Sequence, residues 1–225
     1  MVSGGDNHKM NNQITLVGAI SSEFTYDHSL YGEKYYRITL TVTRDSGTDD
    51  IIPVMVSERL INIGNYHVND CIVVIGQYRS YSIHTEYKSK LVLFVFANSI
   101  ETLNYSDNYN EAYLEGYITK PPTHRLTPNG REISDVMLGV PRAYNKSDYI
   151  PCIFWGRCAK YVSKLEVGDH IRVAGRVQSR NYDKGGDVMT AYEVSVNLVE
   201  VIDDNDDQDK IIDIRSITKE VACRG

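Results

Sequence analysis

The stretch Asp169-His-Ile-Arg-Val-Ala-Gly175 repeats an earlier one, Asp70-Cys-Ile-Val-Val-Ile-Gly76, and both belong to a repeat that runs through most of the chain. Three further landmark pairs share one offset: Gly18 with Gly116, Arg44 with Arg142, and Pro53 with Pro151. Self-similarity at a fixed period marks duplicated structural units. The boundary falls in the Asn/Asp/Ser-rich segment 104–110, which predicts two domains at 11–105 and 110–202.

Each half predicts a small β-barrel. About five β-rich segments in each half have apolar residues at every second position, and one stretch between the third and fourth has helical spacing. In the second half this stretch is 157–165, where Cys158, Tyr161, Val162 and Leu165 recur at helical spacing. Five strands with one helix in that place is the pattern of the OB-fold, a Greek-key barrel that binds oligonucleotides. The sequence therefore predicts an all-β protein of two tandem OB-fold Greek-key barrels with one short helix per domain; another small β-barrel module is the alternative.

The charge of the chain is unevenly distributed. Its formal net charge of −6 argues against a nucleic-acid partner at first sight. However, residues 112–202 hold 12 Lys/Arg against 10 Asp/Glu, whereas residues 11–105 hold 7 against 10 and residues 203–225 hold 4 against 7. The second barrel is therefore the basic one, and residues 203–225 are predicted to be an acidic, disordered tail.

The sequence contains no recognisable membrane span or secretory signal. No apolar run approaches the roughly 18 residues that a membrane span requires. Residues 1–10 are polar, lack the apolar core of a secretory signal, and are predicted to be flexible. We therefore expect a cytoplasmic, nucleoid-associated protein that does not contact the membrane.

Two strands of the second half place basic and aromatic side chains on one face. The outward residues of the fourth strand combine guanidinium groups with an aromatic ring: Arg172, Arg176, Arg180 and Tyr182. On the preceding strand, Phe154 and Cys152 are expected to pack inward, which leaves the only Trp, Trp155, outward beside Tyr149. Aromatic rings stack on unpaired bases and arginines neutralise the backbone, so this face predicts a single-strand binding surface. For each aromatic ring, simple packing is the alternative.

The corresponding row of the first half is more apolar: Val73, Ile75, Gln77, Arg79, Tyr81 and Ile83. Arg79 and Tyr81 could extend the path of the DNA. The aliphatic members are better explained by a packed interface between subunits, since an exposed apolar strip usually marks an association surface.

No pattern in the chain predicts catalysis, a metal or a cofactor. The 4 cysteines and 6 histidines lack the spacing of metal ligands, and no Gly-x-Ser-x-Gly motif or phosphate-binding loop is present. We expect a binding protein and not an enzyme. The alternatives left open are an OB-fold primosome accessory, an RNA-binding module, and a scaffold whose barrels bind only protein.

Several motifs of the second half occur in the order found in one protein family: Gly116-Tyr-Ile-Thr-Lys-Pro-Pro122, Arg125, Pro128-Asn-Gly130, Tyr149-Ile-Pro-Cys-Ile-Phe-Trp-Gly-Arg157 and Val167-Gly-Asp-His-Ile-Arg-Val-Ala-Gly-Arg176. Through them residues 112–201 resemble the DNA-binding domain of bacterial single-stranded DNA-binding proteins, although Pro121 stands where the family usually has Asp. The resemblance implies sequence-independent binding and protection of single-stranded DNA in replication, recombination or repair.

The resemblance also implies the site residues. The family's base-stacking aromatics fall on Tyr144, Tyr149, Trp155 and Tyr182. With the basic and first-half candidates, the predicted DNA-binding set is Tyr144, Tyr149, Trp155, Tyr182, Arg125, Arg142, Arg172, Arg176, Arg180, Arg79 and Tyr81. The first half has Arg44 or Asp45, Ile51, Ser57 and Ile83 near the aromatic positions and keeps only the scaffold; its tyrosine-rich loop 23–36 could substitute.

The resemblance further implies partners. Members of the family function with four OB-folds together, so two barrels per chain imply a homodimer. Family tails close with an acidic Pro-Phe tip that docks replication and repair proteins. This chain ends in Val221-Ala-Cys-Arg-Gly225, so docking by that route is not expected.

Overall fold

The computed structural model describes residues 11–84 and 89–203, most of which form β-strands. The strands are β1 (Asn12–Ile20), β2 (Thr25–Leu30), β3 (Glu33–Thr43), β4 (Asp49–Ser57), β5 (Cys71–His84), β6 (Ser89–Thr102), β7 (Tyr109–Ile118), β8 (Thr123–Leu126), β9 (Glu132–Arg142), β10 (Lys146–Trp155), β11 (His170–Lys184) and β12 (Asp187–Val201). One α-helix, α1 (Gly156–Val162), lies among the described residues. The predicted flexible N-terminus (1–10) and, apart from Asp203, the predicted acidic tail (203–225) lie outside them. No described helix is long and apolar enough to cross a bilayer.

The strands close into two barrels of the same topology. In the first barrel β1 pairs with both β3 and β5, while β4 joins β6 in parallel. In the second, β7 pairs with both β9 and β11, and β10 joins β12 in parallel. The hairpin strands β2 and β8 extend β3 and β9. The predicted fold class, two tandem OB-fold barrels, is thereby confirmed.

The repeated glycines allow each barrel to close. A Cβ atom on Gly116 would lie 2.3 Å from the carbonyl oxygen of Gly139 on β9, and one on Gly18 would lie 2.3 Å from that of Thr41 on β3. Only glycine permits the first strand to approach its second neighbour this closely. Inside, alternating residues such as Ile171 are fully buried.

The two barrels are joined through their first strands. β1 pairs antiparallel with β7 from Asn12–Leu114 to Val17–Tyr109, so all described strands belong to one continuous sheet. Because the same element of each repeat makes this contact in antiparallel register, an approximate two-fold axis relates the barrels.

The prediction of one short helix per domain is wrong for the first barrel. Between β4 and β5 the chain forms only a 3₁₀ turn, Ile63–Asn65, in which the Asn62 side chain accepts a hydrogen bond from the Gly64 amide at 3.2 Å. The turn buries no residue, whereas α1 buries Cys158, Ala159 and Val162. Ile61, Ile63 and Tyr66 of this segment pack on the core, but Asn62, Gly64 and Asn65 between them have low helix propensity, so the segment does not form an α-helix.

The tyrosine-rich segment 23–36 is also different from the predicted loop. Most of it forms β2 and the start of β3, which pair from Thr25–Arg37 to Leu30–Glu33. Each barrel therefore has six strands rather than five, and the tyrosines of this segment have fixed positions on a hairpin.

Candidate nucleic-acid interface

Two buried aspartates, Asp50 on β4 and Asp148 on β10, fasten the barrels to each other. Asp148 Oδ1 accepts a hydrogen bond from the Ser80 amide at 2.8 Å, and Asp50 Oδ1 accepts one from the Ser179 amide at 2.7 Å. Ser80 Oγ in turn accepts a hydrogen bond from the Tyr149 amide at 2.7 Å. We call this reciprocal arrangement the aspartate clasp; it fixes strand β4 of one barrel on β11 of the other, and β10 on β5.

Each aspartate of the clasp also binds arginine. Arg44 donates two hydrogen bonds to Asp50, at 2.7 and 2.5 Å. Arg79 donates to Asp148 at 2.9 Å, and Arg142 lies 3.5 Å from the same carboxylate. As a result the β3–β4 turn of the first barrel lies against the second barrel's sheet, and the β9–β10 turn lies against the first barrel's sheet.

The first resulting cleft, the Trp155 cleft, lies between the β3–β4 turn and strands β11 and β12, and has a volume of about 840 Å³. Its basic and aromatic lining comprises Arg44, Arg131, Trp155, Arg176, Arg180 and Tyr192. Asp49 is the one acid among the described residues that line it. The Trp155 indole is partly exposed, and its Nε1 donates to Ser195 Oγ at 3.1 Å, which holds the ring in place. Beneath it Phe154 and Cys152 are buried, as the strand pattern predicts.

Arg176 is the least compensated charge of this cleft. Its Nε is buried with no hydrogen-bond partner in the described part of the chain, and its terminal nitrogen makes one long contact, 3.4 Å, to Gln178. Burial and the nearby Arg44 guanidinium lower the pKa of Arg176 from its usual value, against the opposing effect of Asp50 and Asp45. An anion such as a phosphate would supply the missing acceptor and relieve the repulsion.

Arg180 and Tyr182 continue the basic aromatic surface along β11. The Arg180 guanidinium lies 5.8 Å from the centroid of the Tyr182 ring, which is 37% exposed. Glu193 approaches Arg180 to 3.7 Å, a loose contact that leaves the guanidinium more than half exposed. Both side chains are therefore accessible to a ligand.

Besides the arginines bound to Asp148, the predicted residues Arg172 and Arg125 are also held by carboxylates. Arg172 donates to Glu115 at 3.0 and 2.8 Å and to Glu200 at 2.9 Å. Arg125 binds Asp135 at 2.6 and 3.2 Å on the β8–β9 hairpin. The predicted row of three arginines on β11 is thus divided, because acids on the neighbouring strands β7 and β12 neutralise Arg172.

The remaining first-half and turn candidates gather in a second cleft, the Phe94 cleft, between the β9–β10 turn and the first barrel's sheet. Arg79, Arg142 and Tyr144 line it. Tyr144 is 94% exposed and has a positive φ of 62°. Tyr81 is 41% exposed and contacts the Phe94 ring edge-to-face at 5.9 Å.

The four predicted stacking aromatics are therefore distributed over the molecule. Trp155 and Tyr182 belong to the second barrel's sheet, whereas Tyr144 projects toward the first barrel. Tyr149 is 48% exposed and lies at the junction, where its amide is bonded to Ser80 of the first barrel. Within the described ranges, no cluster of three or more His, Cys, Asp or Glu is arranged to hold a metal ion.

Sequence reasoning missed several lining residues of both clefts, of which Arg44 and Lys146 come from the opposite barrel. Arg44 and Arg131 line the Trp155 cleft, and Phe94, Phe96 and Lys146 line the Phe94 cleft. A signal existed for Arg44, which the repeat pairs with Arg142. That signal alone does not place Arg44 in the Trp155 cleft, because its place there depends on how the two barrels are positioned relative to each other.

The second barrel matches a known protein family. The model of the single-strand binding protein family matches residues 109–202. The single-stranded DNA-binding protein of Bacillus cereus is 36% identical over 94 residues, which cover 39% of this chain and 55% of that protein. Single-stranded DNA-binding protein A of Bacillus subtilis is 33% identical over 102 residues, 42% of this chain and 59% of that protein. The chain thus spans little more than half the length of these relatives.

The likeness of fold extends over both barrels. The crystal structure of the wild-type single-stranded DNA binding protein from Thermus aquaticus superposes with a TM-score of 0.69 and 22% sequence identity, covering 85% of this chain and 93% of that chain. The resemblance seen in the motifs is confirmed by the family match over the same region. The second barrel thus resembles the single-strand binding protein family along its whole length.

Proposed function

We propose that this protein binds single-stranded DNA without base preference, with the Trp155 cleft as its main contact surface. The observation that carries the proposal is a fixed, partly exposed indole in a cleft lined by four guanidinium groups and one carboxylate. Bases stack on Trp155 and Tyr182, while Arg176 and Arg180 neutralise phosphates. Since every base has a π-face, stacking selects single strands rather than a sequence.

The comparisons support the same surface. The family match spans both Trp155 and Tyr182, and the two Bacillus relatives are named as single-stranded DNA-binding proteins. On this basis the protein protects single strands in replication, recombination or repair, in the cytoplasm and on the nucleoid, and catalyses no reaction. Arg125 and Arg172 contribute less, because carboxylates already neutralise them.

The proposal includes a homodimer that presents four barrels. Its support is the outer face of the joined sheet, where Ile75 on β5 is 39% exposed and pairs with Thr15 on β1. Val17 and Ala174 lie on the same face of neighbouring strands. An exposed aliphatic side chain on such a face is suited to packing against its own copy.

The proposal is tested by titrating the fluorescence of Trp155, the only Trp of the chain, with oligo-dT of increasing length at low and high salt. We expect strong quenching that weakens as salt rises, because stacking covers the indole and counterions compete for the arginines. Trp155→Ala should weaken binding about 5- to 150-fold, the equivalent of losing about 1–3 kcal/mol of stacking, as measured by anisotropy of labelled DNA.

Tyr161→Ala is the matched control, because Tyr161 on α1 is equally an exposed aromatic, 40% accessible, and lines neither cleft. It should leave affinity unchanged. Absence of both quenching and anisotropy change in the unmodified protein contradicts DNA binding. Equal competition by oligo-rU would instead favour an RNA-binding module.

A further inference from the structure

A continuous strip of aromatic rings crosses the first barrel. His28 stacks on Tyr35 with ring centroids 4.8 Å apart and planes inclined by 9°, and Tyr35 contacts Phe96 at 5.9 Å. Phe94 lies two residues before Phe96 on β6, hence on the same face of the strand, and contacts Tyr81 at 5.9 Å. The rings of the strip come from β2, β3, β6 and β5, and the contact between Tyr35 and Phe96 passes over β4.

These rings lie on the outside of the barrel. Leu93 and Val95, which alternate with them on β6, are buried at 5% and 0% exposure and fill the core. Phe94 and Phe96 are only half-buried, and Tyr81 is exposed. The core is complete without them, so packing does not explain why this face is aromatic.

Positive charge surrounds the strip where the second barrel approaches it. Arg79, Arg142 and Lys146 line the Phe94 cleft together with the phenol of Tyr144. The carboxylate of Asp148 lies buried behind Arg79 and Arg142 and balances one of the three charges.

The acids at the far end of the strip are already occupied. Asp27 pairs with His28 and with Arg37, and Glu33 pairs with Arg59. Three cations with only one carboxylate, beside exposed rings, fit a polyanion whose bases stack, and an apolar protein partner would leave two of the three charges without a counter-charge.

The Phe94 cleft is related to the Trp155 cleft by the approximate two-fold axis. The β9–β10 turn stands in the place of the β3–β4 turn, and strands β5 and β6 stand in the place of β11 and β12. By the repeat, Ser57 occupies the position of Trp155. In the first barrel the aromatic side chains therefore lie on β6, where Phe96 occupies the position of Ser195, and not at the end of β4, which corresponds to β10.

We propose that the Phe94 cleft is a second single-stranded DNA surface, in which bases stack on Phe94, Phe96 and Tyr81. Tyr144 of the second barrel closes over them, and Arg79, Arg142 and Lys146 hold the phosphates. Each cleft is then completed by a turn of the other barrel. This inference rests on the proposed binding of single-stranded DNA, and it means that the first barrel binds its own segment of the DNA.

The test is calorimetric titration with oligo-dT of about 8 nucleotides, a length within the range that one OB-fold covers. The unmodified protein should bind two oligonucleotides per chain. Tyr144→Asn combined with Lys146→Ala alters two exposed side chains of one turn, and Asn tolerates the positive φ. This variant should weaken the second site at least about tenfold, while quenching of Trp155 remains. Phe94→Thr, which keeps the strand propensity, should do the same.

The control is Tyr31→Asn combined with Lys34→Ala. Tyr31 is 98% exposed at a positive φ of 50° in the β2–β3 hairpin and lies outside the cleft, so stoichiometry should stay at two. One oligonucleotide per chain in the unmodified protein, with Trp155 quenched, overturns the inference and leaves the proposed function standing. Unchanged DNA binding together with lost self-association in the variants shows instead that a second copy occupies the cleft. Loss of Trp155 quenching in the unmodified protein overturns the proposed function itself.

Discussion

Arg176 and Arg172 lie on the same face of β11 in opposite electrostatic environments. Arg176→Gln removes a guanidinium with an unpaired Nε beside Arg44, so the free energy of unfolding should stay equal or rise. DNA affinity should fall, and the slope of log K against log salt should become shallower by about 0.7, the value for one phosphate contact on a single strand. Anisotropy at several salt concentrations and urea unfolding measure the two effects.

The matched substitution Arg172→Gln should behave in the reverse way. It leaves Glu115 and Glu200 without their cation, so we expect a loss of about 2 kcal/mol in the free energy of unfolding and little change in DNA affinity. If both variants lost DNA binding equally, the division of the arginine row into a binding part and a structural part would be refuted.

Tyr78 is fully buried, and its hydroxyl has no partner among the residues that the structure describes. Tyr78→Phe should therefore raise the free energy of unfolding by about 1 kcal/mol at neutral pH. Burial raises the pKa of Tyr78 well above its usual value, so above about pH 10 the unfolded chain loses this proton and the folded chain keeps it. The free energy of unfolding of the unmodified protein therefore decreases as pH rises through that range, and that of Tyr78→Phe should decrease less. Urea unfolding of both proteins at neutral and alkaline pH measures this difference. Equal losses of stability in the two proteins would contradict the prediction.

Among the elements, the aspartate clasp sets the position of each turn over the opposite sheet. Asp148→Asn leaves Arg79 and Arg142 without their carboxylate at a site where Asp148 is 1% exposed, so the free energy of unfolding should fall by about 3 kcal/mol. Asp135→Asn is the control. Asp135 is 39% exposed and its partner Arg125 is 47% exposed, so loss of this ion pair should lower the free energy of unfolding by less than about 1 kcal/mol. Similar losses in both would show that the clasp does not hold the barrels together.

The same elements show how far the sequence could predict the structure. Two-residue alternation on β10 and β11 correctly placed Phe154 and Ile171 in the core, because strand periodicity is local. The partners of Arg172 come from β7 and β12, so no pattern within β11 could reveal that it is neutralised. Tyr144 sits on a turn whose direction depends on the clasp, and its cleft could be found only from the relative placement of the barrels.

At the scale of the whole molecule, pairing of β1 with β7 makes one sheet whose outer face has no described covering element. Ile14 and Leu16 of β1 point into the first barrel's core, which leaves Thr15 and Val17 on the outer face beside Ile75. Because two chains related by a two-fold axis would place this face against itself, a substitution there acts twice in one interface.

Ile75→Glu is therefore expected to convert the proposed homodimer into a single chain, since it buries two carboxylates opposite one another. Sedimentation velocity measures the mass at a fixed protein concentration, and the Trp155 titration shows whether each chain still binds DNA. Val188→Glu, at a residue 74% exposed in the β11–β12 hairpin, adds the same charge away from the face and should leave the mass unchanged. If Ile75→Glu remains a dimer, the two copies contact each other at a different surface. If the unmodified protein is already a single chain, the proposed four-barrel arrangement is wrong. The two-cleft chain would then be the complete binding unit, and the length of DNA it covers should be set by its two barrels alone.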